Sequence, residues 1–176
     1  MRLFIAINFN DKTRAQLVAL RDELRSRSKR GNFTVAENLH LTLVFLGDCD
    51  MEQTSVVKSA MDEINFEPFP LNIERIERFK RDGGDIWWAG VQASKPLIDL
   101  QNELTHKLIE AGFTLEKRKY SPHITIGRQV VTNTAPWRIE PFGETITGIE
   151  LMKSERIGGK LTYTAIYEKD GDSYEN

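Results

Sequence analysis

A single cysteine, Cys49, stands in a chain of 176 residues, and histidine occurs only three times, at positions 40, 106 and 123. One thiol excludes an intramolecular disulfide and any cysteine-rich metal site. No apolar run approaches the roughly 20 residues that a membrane-spanning helix needs. The opening stretch Leu3-Phe4-Ile5-Ala6-Ile7 passes straight into polar sequence and lacks a signal-peptide layout. An excess of charge is missing too: 24 Lys and Arg face 26 Asp and Glu, a net of −2. That balance argues against a protein that coats nucleic acid through charge alone. The simplest expectation is a cytoplasmic monomer without membrane contact, one domain over 1–176 made of two lobes sharing a core.

The scarce histidines are not scattered. His40-Leu41-Thr42-Leu43 and His123-Ile124-Thr125-Ile126 repeat one pattern, His-x-Thr-apolar. With 13 threonines in the chain, chance would place a threonine two residues after two of three histidines only about 2% of the time, composition being the prior.

The sequence around each copy repeats as well. Arg2 to Phe9 reads as a strand, Asn10 or Asp11 can cap a helix, and Leu17, Leu20 and Leu24 keep helical spacing. A loop with Gly31 and Asn32 then leads to the apolar strand Leu39 to Leu46. Later, Ile86 to Val91 reads as a strand and Ser94 with Pro96 as a helix start. Leu97, Leu100, Leu104 and Leu108 form that helix's stripe, Gly112 its stop, and the strand Ile124 to Ile126 follows a basic loop at 117–119. Phe4 precedes His40 by 36 residues and Trp88 precedes His123 by 35. The chain is therefore two copies of one supersecondary unit. Elsewhere Asp50 can cap a helix carrying Val57, Met61 and Ile64, and Phe69 to Phe79 alternates as a strand. Ile149 to Lys153 and Leu161 to Glu168 form a hairpin around Gly158-Gly159. Residues 131–143, with Pro136 and Pro141, read as a long loop, and the tail from Lys169 reads as frayed.

Side chains two apart on a strand share a face. His40 and Thr42 then point one way, with Leu39, Leu41, Leu43 and Phe45 opposite; His123 and Thr125 pair in the same way, with Gly127 extending their face and leaving room for a ligand. If the units pack about an approximate two-fold, two imidazoles and two hydroxyls line one groove. One neutral imidazole can take a proton while the other, charged, gives one. Two histidines with hydroxyls make a poor metal ligand set, so no metal and no cofactor are expected. His106 sits on the polar side of its helix and is expected to be idle. The basic residues Arg21, Arg25, Arg27, Lys29 and Arg30 read as a solvated helix end. Tyr120 and Phe45 read as core or rim packing, with base stacking as the other reading.

Glu37 to Gly47 and Ser121-Pro122-His123-Ile124-Thr125-Ile126-Gly127-Arg128 resemble the two signature motifs of the 2H phosphoesterase superfamily, in its RNA 2′,3′-cyclic phosphodiesterase branch. The resemblance implies a bilobal α+β fold, two pseudo-symmetric lobes each with an antiparallel sheet and helices flanking a central groove. It implies metal-independent hydrolysis of an RNA 2′,3′-cyclic phosphate end to a 2′-phosphate, with His40 as proton donor and His123 as proton acceptor. Thr42 and Thr125 would hold phosphate oxygens. Arg128 would bind phosphate or base, or else pair with an acidic neighbour. The competing readings are a non-catalytic RNA-end or nucleotide-binding module, and a 2′–5′ RNA ligase or other cyclic-nucleotide phosphodiesterase.

Overall fold

The computed structural model describes residues 1–116 and 118–172. Nine strands and three helices are found among them: β1 (Arg2–Ile7), α1 (Asp11–Ser26), β2 (Ser28–Phe33), β3 (Leu41–Asp48), α2 (Met51–Asp62), β4 (Phe69–Phe79), β5 (Asp85–Val91), α3 (Lys95–Glu110), β6 (His123–Thr132), β7 (Trp137–Ile146), β8 (Gly148–Ile157) and β9 (Lys160–Asp170). Each helix begins where a side chain satisfies free backbone N–H groups. Asn10 accepts from Thr13, Asp50 and Gln53 form a reciprocal capping box, and Ser94 accepts from Leu97 with Pro96 in the first turn. At ~1.5–3 kcal/mol for each fully buried leucine, the stripe Leu97, Leu100, Leu104 and Leu108 is enough to hold α3 against the sheets.

All strand pairs are antiparallel, in a four-stranded sheet ordered β3-β1-β8-β9 and a five-stranded sheet ordered β2-β6-β5-β4-β7. The repeat is visible in this order. β1 lies between β3 and β8 as β5 lies between β6 and β4. Each sheet also borrows from the other half of the chain: β8 and β9 complete the first, β2 and β4 the second. Leu3, Ile5 and Ile7 on one sheet and Trp87, Ala89 and Val91 on the other join the helix stripes in one continuous core. A small cluster of Phe4, Ala6 and Met152 packs separately, on the opposite face of β1.

Three stretches differ from the sequence expectation. The Gly31-Asn32 loop is strand β2, which alternates poorly because it is a sheet edge with a single apolar anchor, Phe33. The 131–143 loop is the end of β6 and most of β7. Pro141 is tolerated because β7 is also an edge, and the β4–β7 register is irregular there. The tail is ordered strand to Asp170, and Gly171 and Asp172 go on to bond the Thr147 and Phe66 carbonyls, both at 2.7 Å; residues 173–176 and Lys117 lie outside the described residues.

The motif strands share a further irregularity. In β3, Ala6 pairs with Thr42 and Ile5 with Val44, so Leu43 is an extra residue. In β6, Trp88 pairs with Thr125 and Trp87 with Gly127, so Ile126 is extra. Each motif threonine is thus followed at once by a bulge that reverses the alternation. Phe45, expected opposite His40 and Thr42, comes round to their face. Gly127, expected on the face of His123 and Thr125, turns to the core, where a Cβ would meet Val130 at 2.9 Å.

Hydroxyls tie the halves together at the same places. Tyr120 Oη donates to the Thr42 carbonyl at 2.7 Å, and Thr34 Oγ1 donates to the Thr125 carbonyl at 3.1 Å. Gln101 Nε2 donates to the Leu43 carbonyl at 3.3 Å. Tyr120→Phe, which keeps the ring and leaves a carbonyl short of a partner, is expected to cost ~1–3 kcal/mol in urea unfolding. A loss below about 0.3 kcal/mol would mean the tie carries nothing.

Candidate active site

His40 stands one residue before β3, after a single 3-10 turn at Ala36–Asn38, and His123 opens β6 after a loop; each uses the carbonyl two residues before it. His40 Nδ1 lies 2.7 Å from the Asn38 carbonyl, and His123 Nδ1 lies 2.7 Å from the Ser121 carbonyl. A carbonyl only accepts, so Nδ1 carries the proton in both rings. Nε2 is therefore the working nitrogen on both sides. At His40 it lies 2.9 Å from Thr42 Oγ1, and in the neutral ring it accepts that hydroxyl.

Each imidazole has a collar of two aromatic rings. Phe4 and Tyr163 flank His40 with centroids at 4.9 and 5.1 Å. Trp88 and Phe79 flank His123 at 5.8 and 5.2 Å. Phe4 and Trp88 are the residues whose offsets to the histidines matched in sequence, so that spacing encodes the same ring-on-ring support twice. Tyr163 and Phe79 were missed. They arrive from β9 and β4, strands exchanged between the sheets.

Burial holds the His40 imidazole below the ordinary histidine value of 6.5. The hydrogen bond to Asn38 opposes this, and the charges of His123 and Arg128 push further down. Burial also raises the phenols of Tyr120 and Tyr163, with Arg128 and Arg2 opposing the shift at Tyr163. The electrostatic reach of Arg128 to His40 and Tyr163 follows from the β6 bulge, which turns it onto the His123 face. It has no ion pair among the described residues. Phe45 holds the matching position after its own bulge, 52% exposed, with the Arg2 guanidinium 4.9 Å from its centroid.

The structure thus brings His40 and His123 within electrostatic reach of one another, each beside its threonine, with Arg128 close enough to act on His40. His106 lies on α3, exposed and 3.0 Å from Glu110. In the basic segment near α1, Arg25 and Arg27 stack on Phe33 and Trp137, which makes them packing residues as well as solvated charges. Arg118, before the second motif, pairs with Glu116 at 2.8 Å. Among the described residues no helix is long and apolar enough to cross a membrane.

The family model described as the 2′-5′ RNA ligase superfamily matches residues 9–157. An RNA 2′,3′-cyclic phosphodiesterase of Archaeoglobus fulgidus is 32% identical over 152 residues, covering 82% of this chain and 85% of that one. One of Thermotoga maritima is 34% identical over 131 residues, covering 73% and 70%. The crystal structure of E. coli LigT complexed with 3′-AMP matches with a TM-score of 0.84 at 26% identity, covering 98% of both chains. With fold, doubled motif and relatives in agreement, the chain belongs to the 2′-5′ RNA ligase superfamily, the 2H phosphoesterases.

Proposed function

We propose that this enzyme hydrolyses the 2′,3′-cyclic phosphate at an RNA end to a 2′-phosphate, by acid–base catalysis between His40 and His123. The observation that carries the reading is the pair of imidazoles with identical tautomers, each Nδ1–H spent on the carbonyl two residues earlier. In-line attack at phosphorus needs a base on one side and an acid on the other. His123 Nε2 takes a proton from water as the oxygen attacks phosphorus. The bond from phosphorus to the 3′ oxygen breaks, and His40 Nε2–H protonates that oxygen. Thr42 and Thr125 hydroxyls donate to the non-bridging oxygens, and Arg128 offsets the charge that builds on them. The half-exposed ring of Phe45, beside Arg2, offers the terminal base a stacking surface.

The His40 environment supports its half of this scheme. In the free protein burial favours the neutral ring, with Thr42 on Nε2. A bound phosphodiester brings a negative charge that favours the imidazolium. Substrate binding therefore loads the acid, and Thr42 is released to donate to phosphate.

Purified protein given an oligonucleotide ending in 2′,3′-cyclic phosphate is expected to yield the 2′-phosphate at the same rate with EDTA present; full loss on chelation would end the metal-free scheme. His40→Ala and His123→Ala should each lower kcat by at least about 100-fold, the usual worth of a positioned acid or base, while His106→Ala leaves it unchanged. An aryl phosphodiester, whose leaving group needs no proton, separates the roles. His40→Ala should retain that reaction and His123→Ala should lose it; the reverse pattern would exchange acid and base. In NMR titration the His40 midpoint should lie below 6.5, move up in Arg128→Gln because a lowering charge is gone, and move up again with bound 2′-phosphate product. A midpoint that ignores both would sink the account of His40.

A further inference from the structure

The hairpin turn between β4 and β5 carries Lys80 and Arg81, both exposed, at the edge of the collar around His123. The contacts run without a break: the Arg81 guanidinium lies 5.6 Å from the Phe79 centroid, and Phe79 lies edge-on 5.2 Å from His123. Nothing in the proposed chemistry uses these two cations. The turn is also held rigidly. Arg81 N–H donates to Asp85 Oδ1 at 2.9 Å and Arg81 Nη1 to the Lys80 carbonyl at 2.8 Å. Gly84, at φ +137°, lies so close to β6 that a Cβ there would be 2.5 Å from the Gln129 carbonyl carbon. Gln129 adjoins Arg128, so the turn is clamped to the strand that supplies the groove's own arginine. Asp82 is the one exposed acid of the turn, and Asp85 faces Arg78 at 3.8 Å.

The opposite end of β4 has the opposite sign. Leu71 and Phe69 pair there with Glu144 and Ile146. Beside them Glu144, Glu150, Glu168 and Asp170 line a recess of about 150 Å³. From Leu71 to Phe79 at ~3.4 Å per residue the two ends lie about 27 Å apart. β4 therefore runs from an acidic end that repels a polyanion to a turn whose two cations attract it.

We infer that the RNA strand leading to the terminal cyclic phosphate leaves the groove over the β4–β5 turn, with backbone phosphates against Arg81 and Lys80. The enzyme would then prefer an oligonucleotide end to a free cyclic mononucleotide. This rests on the RNA-end reading above, and the substrates are chosen to separate the two. Wild type, Lys80→Ala, Arg81→Ala and Arg81→Glu are compared on a 2′,3′-cyclic mononucleotide and on a hexanucleotide with the same end. In parallel, binding of the 2′-phosphate hexanucleotide is followed by anisotropy against salt. Arg81→Glu should lower kcat/KM about 10-fold or more on the hexanucleotide and leave the mononucleotide within about twofold. Each alanine variant should reduce the salt slope of binding by about 0.7, the single-strand value for one phosphate contact. Equal effects on both substrates, or unchanged rates with an unchanged slope, would overturn the track. A wild type inactive on both substrates would overturn the RNA-end reading instead, and the slope would still decide the track. Thermal melts of all variants identify any that fail to fold, and Lys80, whose side chain is exposed, gives the substitution least able to disturb the turn.

Discussion

Two donated hydroxyls hold the site together, and each comes from the far half of the chain. Tyr120, three residues before the second motif, bonds the backbone of Thr42 in the first. Thr34, six residues before the first motif, bonds the backbone of Thr125 in the second. The Tyr120 bond crosses to β3 of the other sheet, while Thr34 extends β2 beside β6 within one sheet, and acid–base catalysis across a single phosphate tolerates little displacement of either strand. The ties act on the carbonyl of each motif threonine, so they fix the motif strands themselves and not some remote rim. Exchange of β4 and β8 between the sheets serves the same end on a larger scale. Neither half can move without breaking its partner's hydrogen-bond ladder.

Within this near-symmetry the chemistry has to be unsymmetrical, and the surroundings of the two rings supply the difference. His40 is flanked by Phe4 and Tyr163 and is bonded to Thr42. His123 shows no such bond to Thr125 among the described residues. After the matching bulges one strand presents Phe45 and the other Arg128. The same backbone device thus supplies an apolar surface on one side of the groove and a positive charge on the other. A symmetric scaffold becomes directional through a few side chains, at no cost to the packing that built it.

Much of this was legible in the chain. The helices were, because caps and leucine stripes are local signals. The doubled motif was, and the equal offsets from Phe4 to His40 and from Trp88 to His123 turned out to be real ring contacts. β2 and β7 were not, because edge strands need bury only one side and can carry Gly31 or Pro141. Phe45, Gly127 and Arg128 were placed on the wrong faces or left open for one reason. A bulge leaves no mark in the residue pattern, since Leu43 and Ile126 read as ordinary strand apolars. Tyr163 and Phe79 were beyond reach because their contacts depend on strand exchange.

The near-neutral composition takes on a different sense once positions are known. A net charge of −2 excludes binding by a broad positive field, yet a protein that acts on one terminal phosphate has no need of such a field. A basic surface would hold RNA along its length and compete with capture of the end. Here the cations are few and placed. Arg128 is one of the charges that lower the His40 imidazole, Arg2 covers Phe45, and Arg81 covers Phe79. Arginine suits these places because its planar guanidinium can lie on an aromatic ring and still present donors to a phosphate. Acids gathered at the far end of β4 complete this placement, since they repel a polyanion from that end of the strand and leave the basic turn to attract it.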